Sequence, residues 1–211
     1  GVVAMTVPVV TAWDRAGVEA VARLRTDALT PVMRTVTFLA SAPVMLTGVA
    51  LAAGVLALRT HRLSGAVRLV LVVAVGWASV MALKPVFGRE RPSVAMADVL
   101  QVEPLVAEPV GASYPSGHTA LATGLALALV WACRYAAAVT RWAVTAVGVL
   151  AVLVVGLSRV YLGVHYPTDV VGAVMAVGAT TLLLTGLLRG PLRVREPATP
   201  GQAAGSAMLG S

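Results

Sequence analysis

Three polar clusters interrupt an otherwise apolar chain, and each contains residue types that handle anions. The first is Lys84-Pro-Val-Phe-Gly-Arg-Glu-Arg91-Pro92. The second is Tyr114-Pro115-Ser116-Gly117-His118. The third is Ser158-Arg159, followed by His165 after five residues and by Asp169 after three more. Lys84 and Arg91 stand two helical turns apart, so on one helix they would share a face that attracts an anion. Equally, they could be two cations snorkelling to an interface. Ser116-Gly117-His118 directly precedes an apolar run. A helix starting there would point backbone N–H groups and its positive dipole end at a phosphate, with Gly117 allowing close approach. Ser116 as a plain N-cap is the other reading. His165 and Asp169 are four apart, so one helical turn brings carboxylate to imidazole. A carboxylate that fixes one ring nitrogen leaves the other free as nucleophile or base. A staple at a helix start is the structural alternative.

Taken together, the clusters say more than each does alone. Lys84, Arg91 and Arg159 can neutralise a phosphate, Ser116 and Gly117 can cradle it, and His118, His165 and Asp169 supply a nucleophile and a proton donor. No metal is expected. Asp98, Glu103 and Glu108 match no template for a divalent cation. The single cysteine, Cys133, has no partner for an internal disulfide or a zinc site and reads as a packed thiol.

The elements that must position these residues follow from composition. Of the 211 residues, 58% are apolar and 12% charged, and the mean hydropathy is +0.88. That excludes a disordered chain and an ordinary soluble globule, and leaves an integral membrane protein built of helices. The net charge of +7 rests on arginine, Lys84 being the only lysine. No dense basic run exists, so nucleic acid is not an expected partner; arginine in cytoplasmic loops explains the charge.

Five apolar runs approach the roughly 20 residues that cross a bilayer: about 31–58, 69–83, 119–135, 142–157 and 170–188. Small residues recur within them, at 48–52, 120–124 and 172–176, and would allow close helix packing. Residues 13–29 differ. Val18, Val21, Leu24 and Ala28 fall on one helical face and Arg15, Glu19, Arg23 and Asp27 on another, which describes an amphipathic helix at the membrane surface, with Trp13 suited to the interface; a solvated connecting helix is the alternative. Residues 1–12 are too short to span, and the chain opens at Gly1 as a cut or processed end would. We expect one membrane domain over residues 1–196 and a disordered tail over 197–211, which is rich in Ala, Gly, Ser and Pro and carries no charge.

Loop charges orient the bundle. The first loop between spans carries Arg59, Arg62 and Arg68 with no acid, the third Arg134 and Arg141, and the segment after the last span Arg189, Arg193 and Arg195 against Glu196. The intervening loops balance Lys84, Arg89 and Arg91 with Glu90, Asp98, Glu103 and Glu108, and Arg159 with Asp169. The positive-inside rule places the first set in the cytoplasm. Lys84, His118 and His165 then lie on the outer face.

Lys–six residues–Arg-Pro, Pro-Ser-Gly-His and Ser-Arg–five residues–His–three residues–Asp together resemble the tripartite signature of the type 2 phosphatidic acid phosphatase family. Every signature residue matches, over positions 84–169. The resemblance implies an all-α bundle with a core of six transmembrane helices, of which the five runs here correspond to the second through sixth; the first is absent or reduced to residues 1–12. It also implies roles. His165 is the nucleophile that forms a phosphohistidine, and Asp169 orients it. His118 protonates the leaving oxygen and then activates water. Lys84, Arg91, Arg159, Ser116 and Gly117 bind the phosphoryl oxygens. The family uses no cofactor.

The resulting expectation is a bacterial integral membrane lipid phosphatase, metal-independent and facing outward. Its substrate would be a polyprenyl diphosphate such as undecaprenyl diphosphate, phosphatidylglycerophosphate or phosphatidate. A homo-oligomer is compatible with the sequence. The rivals are a lipid-linked phosphotransferase on the same site and a non-catalytic protein that binds or translocates lipid; intact His118, His165 and Asp169 argue against the latter.

Overall fold

Backbone groups in hydrocarbon must bond within their own segment, so long runs of Leu, Val and Ala become helices. A computed structural model describes residues 8–61, 63–97, 105–106 and 111–189. The described residues form eight helices: α1 (Pro8–Ala22), α2 (Leu29–Leu39), α3 (Ala42–Thr60), α4 (Leu63–Phe87), α5 (Pro92–Ala95), α6 (Gly117–Ala132), α7 (Ala138–Tyr161) and α8 (Pro167–Arg189). The protein is all-α. Four of its described helices, α3, α4, α7 and α8, are long and apolar enough to cross a membrane. The fifth expected span is α6, which at 16 residues falls short of that length. It is nonetheless the hub, packing on α3, α4, α7 and α8. Its face from Thr119 to Gly124 is continuously buried.

The run expected as one helix over 31–58 is two. Within a continuous helix Pro43 would lack the N–H for a bond to Leu39 and its ring would strike that carbonyl. The chain instead leaves the helix at Ala40, passes through an extended Ser41 and restarts with Pro43 in the first turn of α3. The amphipathic helix also differs from its expected span of 13–29. It starts earlier and ends at Ala22, because Thr26 accepts the Leu29 N–H through its hydroxyl and so opens α2. Val18 and Val21 do face the core, against Val160 and Tyr166, whereas Leu24 lies beyond the helix and is exposed. Trp13 is exposed.

Close helix packing is seen at two of the three small-residue runs: a Cβ on Gly124 would sit 3.2 Å from the Val73 backbone, where α6 crosses α4, and Ala173 is buried against Val80 of α4 and Ala120 of α6. Gly172 instead lies against the ring of Tyr114, in the loop before α6. Gly48 has no such neighbour. The ends of α4 and α7 and the starts of α6 and α8 converge at one end of the bundle, opposite Arg59, Arg68, Arg134 and Arg141. The tail over 197–211 and the boundary at 196 lie outside the described residues, as do Asp98, Glu103 and Glu108.

Candidate active site

Each polar cluster sits at a helix end, because an apolar helix has no room for it further in. Lys84 lies in the last turn of α4, which closes at Gly88. That residue takes the left-handed conformation, with φ of 57°, and its N–H bonds the Lys84 carbonyl at 2.9 Å. Arg91 therefore does not continue the helix of Lys84, contrary to the shared face its spacing allowed. It stands in extended backbone and caps the start of α5. Two short bonds, Lys84 Nζ to the Ala112 carbonyl (2.7 Å) and the Ser113 N–H to the Arg89 carbonyl (2.7 Å), pull both ends of this connection together.

Ser116 is the N-cap of α6, its Oγ accepting from the Thr119 N–H and, at 3.0 Å, from the Thr119 hydroxyl. It is fully buried. Gly117 and His118 follow as the first residues of the helix, both half-buried. The Ser116 N–H donates to the Asp169 carbonyl at 3.1 Å, which ties the second cluster to the third.

Arg159 comes from the last turn of α7 and is fully enclosed; one guanidinium N–H reaches the Thr37 hydroxyl at 3.4 Å, and Thr37 also bonds Ser158 at 3.0 Å. Arg91 reaches the Val164 carbonyl, one residue before His165, at 3.1 Å. His165 precedes α8, and Asp169 lies in its first turn. The imidazole Nδ1 stands 3.1 Å from Asp169 Oδ2, both groups buried. The same oxygen accepts the Tyr166 N–H at 2.9 Å. With the carboxylate as acceptor, Nδ1 carries the ring proton and Nε2 presents its lone pair. Burial pulls the His165 pKa down to about 4. The Asp169 hydrogen bond and charge oppose that shift, and the Arg159 and Arg91 charges add to it. The ring is thus neutral at ordinary pH, the form a nucleophile requires.

The structure brings Arg91, Arg159, His165, Asp169 and Ser116 to one place, and Lys84 to the adjoining loop. It also adds residues the sequence reading passed over. Arg89, between the two signature cations, donates to Asp169 Oδ1 at 2.8 Å and to Asp14 Oδ2 at 2.6 Å. Asp14 belongs to α1, far away in sequence. The only sequence signal was an acid beside Trp13 on a helix otherwise read for its apolar stripe. Among the described residues no three of His, Cys, Asp and Glu cluster in a way that would hold a metal ion.

A family model described as the PAP2 superfamily matches residues 65–190. No curated protein matches the chain. Two solved structures do. One is a transmembrane PAP2 type phosphatidylglycerolphosphate phosphatase from Bacillus subtilis, with TM-score 0.77, 24% identity, and 92% of each chain covered. The other is LpxE from Aquifex aeolicus, with TM-score 0.61 and 22% identity, covering 80% of this chain and 92% of that one. At these identities both likenesses establish the fold.

Proposed function

The chain belongs to the PAP2 superfamily, as an integral membrane member of it, and from that premise we propose that it hydrolyses lipid phosphates through a phosphohistidine. The observation that carries the proposal is the buried pair His165–Asp169 at 3.1 Å, with Arg91 and Arg159 close enough to act on the ring electrostatically.

In this reading His165 Nε2 attacks phosphorus while Asp169 holds Nδ1–H and stabilises the imidazolium character that develops. The bond to the leaving oxygen breaks as His118, at the start of α6, gives that oxygen a proton. His118 then takes a proton from water, which attacks the phosphohistidine, releases phosphate and restores His165. Lys84, Arg91 and Arg159 neutralise the phosphoryl oxygens, and Ser116 and Gly117 hold one of them at the helix start. Three fixed cations supply the charge that a divalent metal supplies in other phosphoryl-transfer sites. Residues 65–190 carry all of this chemistry, consistent with a single membrane domain. In it α6 is the third of five crossings, made viable at its short length by enclosure among longer helices.

The test is phosphate release by the purified chain from phosphatidylglycerophosphate, phosphatidate and a polyprenyl diphosphate, with EDTA and with vanadate. Release from at least one substrate, unaffected by EDTA and blocked by vanadate, is expected. Loss on chelation and recovery with Mg²⁺ would overturn the metal-free reading. No release from any of the three would overturn the proposal.

A further inference from the structure

Behind the candidate nucleophile the signature residue Asp169 is joined in an ion-pair chain to two residues that are not signature residues, Arg89 and Asp14. Arg89 Nη1 donates to Asp169 Oδ1 and to the Thr168 hydroxyl, both at 2.8 Å, and its Nη2 donates to Asp14 Oδ2 at 2.6 Å. Asp14 Oδ1 accepts the Thr168 N–H at 3.0 Å, so a carboxylate from α1 satisfies a first-turn donor of α8. The guanidinium lies 3.8 Å from the centre of the Tyr166 ring. Side-chain exposure is 1% for Asp14, 0% for Asp169 and 11% for Arg89. Burying three charges is costly unless each is paired and hydrogen-bonded, and here each is.

We propose that Asp14 and Arg89 are positioning residues that fix the Asp169 carboxylate and, through it, the imidazole of His165. The proposal rests on the phosphohistidine reading and makes the surface helix α1 part of the catalytic unit.

The geometry carries this in two ways. Asp169 has one oxygen committed to His165 and the Tyr166 N–H and the other to Arg89, so the carboxylate cannot rotate away from the ring. Lysine at position 89 would keep the charge but lose the planar fork that reaches both carboxylates. The second consequence is electrostatic. The groups facing His165 are Asp169 from α8, Arg159 from α7, Arg91 at the start of α5, and, one pairing further out, Arg89 and Asp14; His118 from α6 and Lys84 from α4 complete the site. Within this set Arg89 offsets Asp169, and Asp14 offsets Arg89. Removing the Arg89 charge leaves Asp169 freer to stabilise the imidazolium, so His165 would protonate at higher pH. Removing the Asp14 charge leaves Arg89 less balanced, so His165 would protonate at lower pH.

The experiment is the pH profile of kcat/KM for nitrophenyl phosphate on the full chain in lipid nanodiscs, for wild type, Arg89→Gln, Arg89→Lys and Asp14→Asn. The acid limb should move up by about one pH unit in Arg89→Gln and down in Asp14→Asn. It should stay near the wild-type position in Arg89→Lys, with kcat at least tenfold lower and KM little changed. Asp14→Asn keeps the shape and one acceptor, for the Thr168 N–H, and gives up the oxygen that Arg89 and the Thr168 hydroxyl share; the direction of its limb shift carries the sign test even if Arg89→Gln does not fold. Shifts of the same sign in both charge variants, or no shift with an unchanged kcat, would overturn the proposal. If wild type and His165→Ala release phosphate alike, the phosphohistidine reading fails. If His165→Ala is inactive while the limbs do not separate, only the role of Asp14 and Arg89 fails.

Discussion

The backbone N–H of Ser116 donates to the carbonyl oxygen of Asp169 at 3.1 Å, so the starts of α6 and α8 are pinned to each other. His118 and His165 belong to those two starts. Their relative placement therefore depends on a contact between backbones, which no side-chain substitution at either histidine disturbs.

The same joint is tight one turn further along α8. Gly172 lies against the Tyr114 ring with no space for a Cβ, and Tyr114 also packs edge-on with Phe87, ring centres 4.7 Å apart. Gly172→Ala must displace Tyr114 and with it the Pro115-Ser116-Gly117-His118 segment. We predict a stability loss of about 1–3 kcal/mol, seen as a lower Tm in detergent, with a larger fall in kcat than global destabilisation explains. Gly48→Ala, inside α3 with nothing within 4 Å of the added atom, is the control and should lower neither.

Burial depresses the His165 pKa to about 4. The neutral ring is the nucleophile, so kcat/KM with nitrophenyl phosphate should hold as pH falls below 6 and be lost only as it passes through about 4. The limb reports the free enzyme and the free substrate, so the ionisation of nitrophenyl phosphate itself is divided out before the enzyme limb is read. For stability the sign is the same. The unfolded chain binds a proton on this histidine below about pH 6.5 and the folded chain does not until about 4, so stability falls as pH drops through that window. An acid limb at pH 6.5 or above would show that the ring is solvated.

The charge asymmetry of the loops predicts that the end of the bundle carrying the site faces outward. Val94 in α5 lies at that end and is 67% exposed. In a background with Cys133 replaced by Ala, Val94→Cys should react with an impermeant thiol reagent in intact cells. Reaction only after lysis would place the site in the cytoplasm.

What the sequence disclosed, and what it hid, has a physical pattern. His165 and Asp169 are four residues apart and their contact is local, so spacing alone anticipated it. The close helix contacts at Gly124 and Ala173 were likewise legible in runs of small residues, whereas the approach of Gly172 to the Tyr114 ring was not. The break at Ser41 had its signal in Ser-Ala-Pro, but the long apolar run on both sides masked it. The pairing of Asp14 with Arg89 had no local signal at all. The two residues are 75 apart in sequence and meet only because α1 packs on α7 and α8. The shared helical face that the spacing of Lys84 and Arg91 allowed does not form, for a local reason: Gly88 ends the helix between them.

The central claim is that His165 becomes covalently phosphorylated and that His118 handles the protons. Rapid-quench measurement of protein-bound phosphate tests it most directly, using radiolabelled nitrophenyl phosphate, whose leaving group needs little protonation, with wild type, His118→Ala and His165→Ala. The account predicts an acid-labile phosphoenzyme that accumulates in His118→Ala, where hydrolysis of the intermediate slows by about 10²- to 10⁴-fold, and none in His165→Ala. A phosphoenzyme formed by His165→Ala and never by His118→Ala would contradict it.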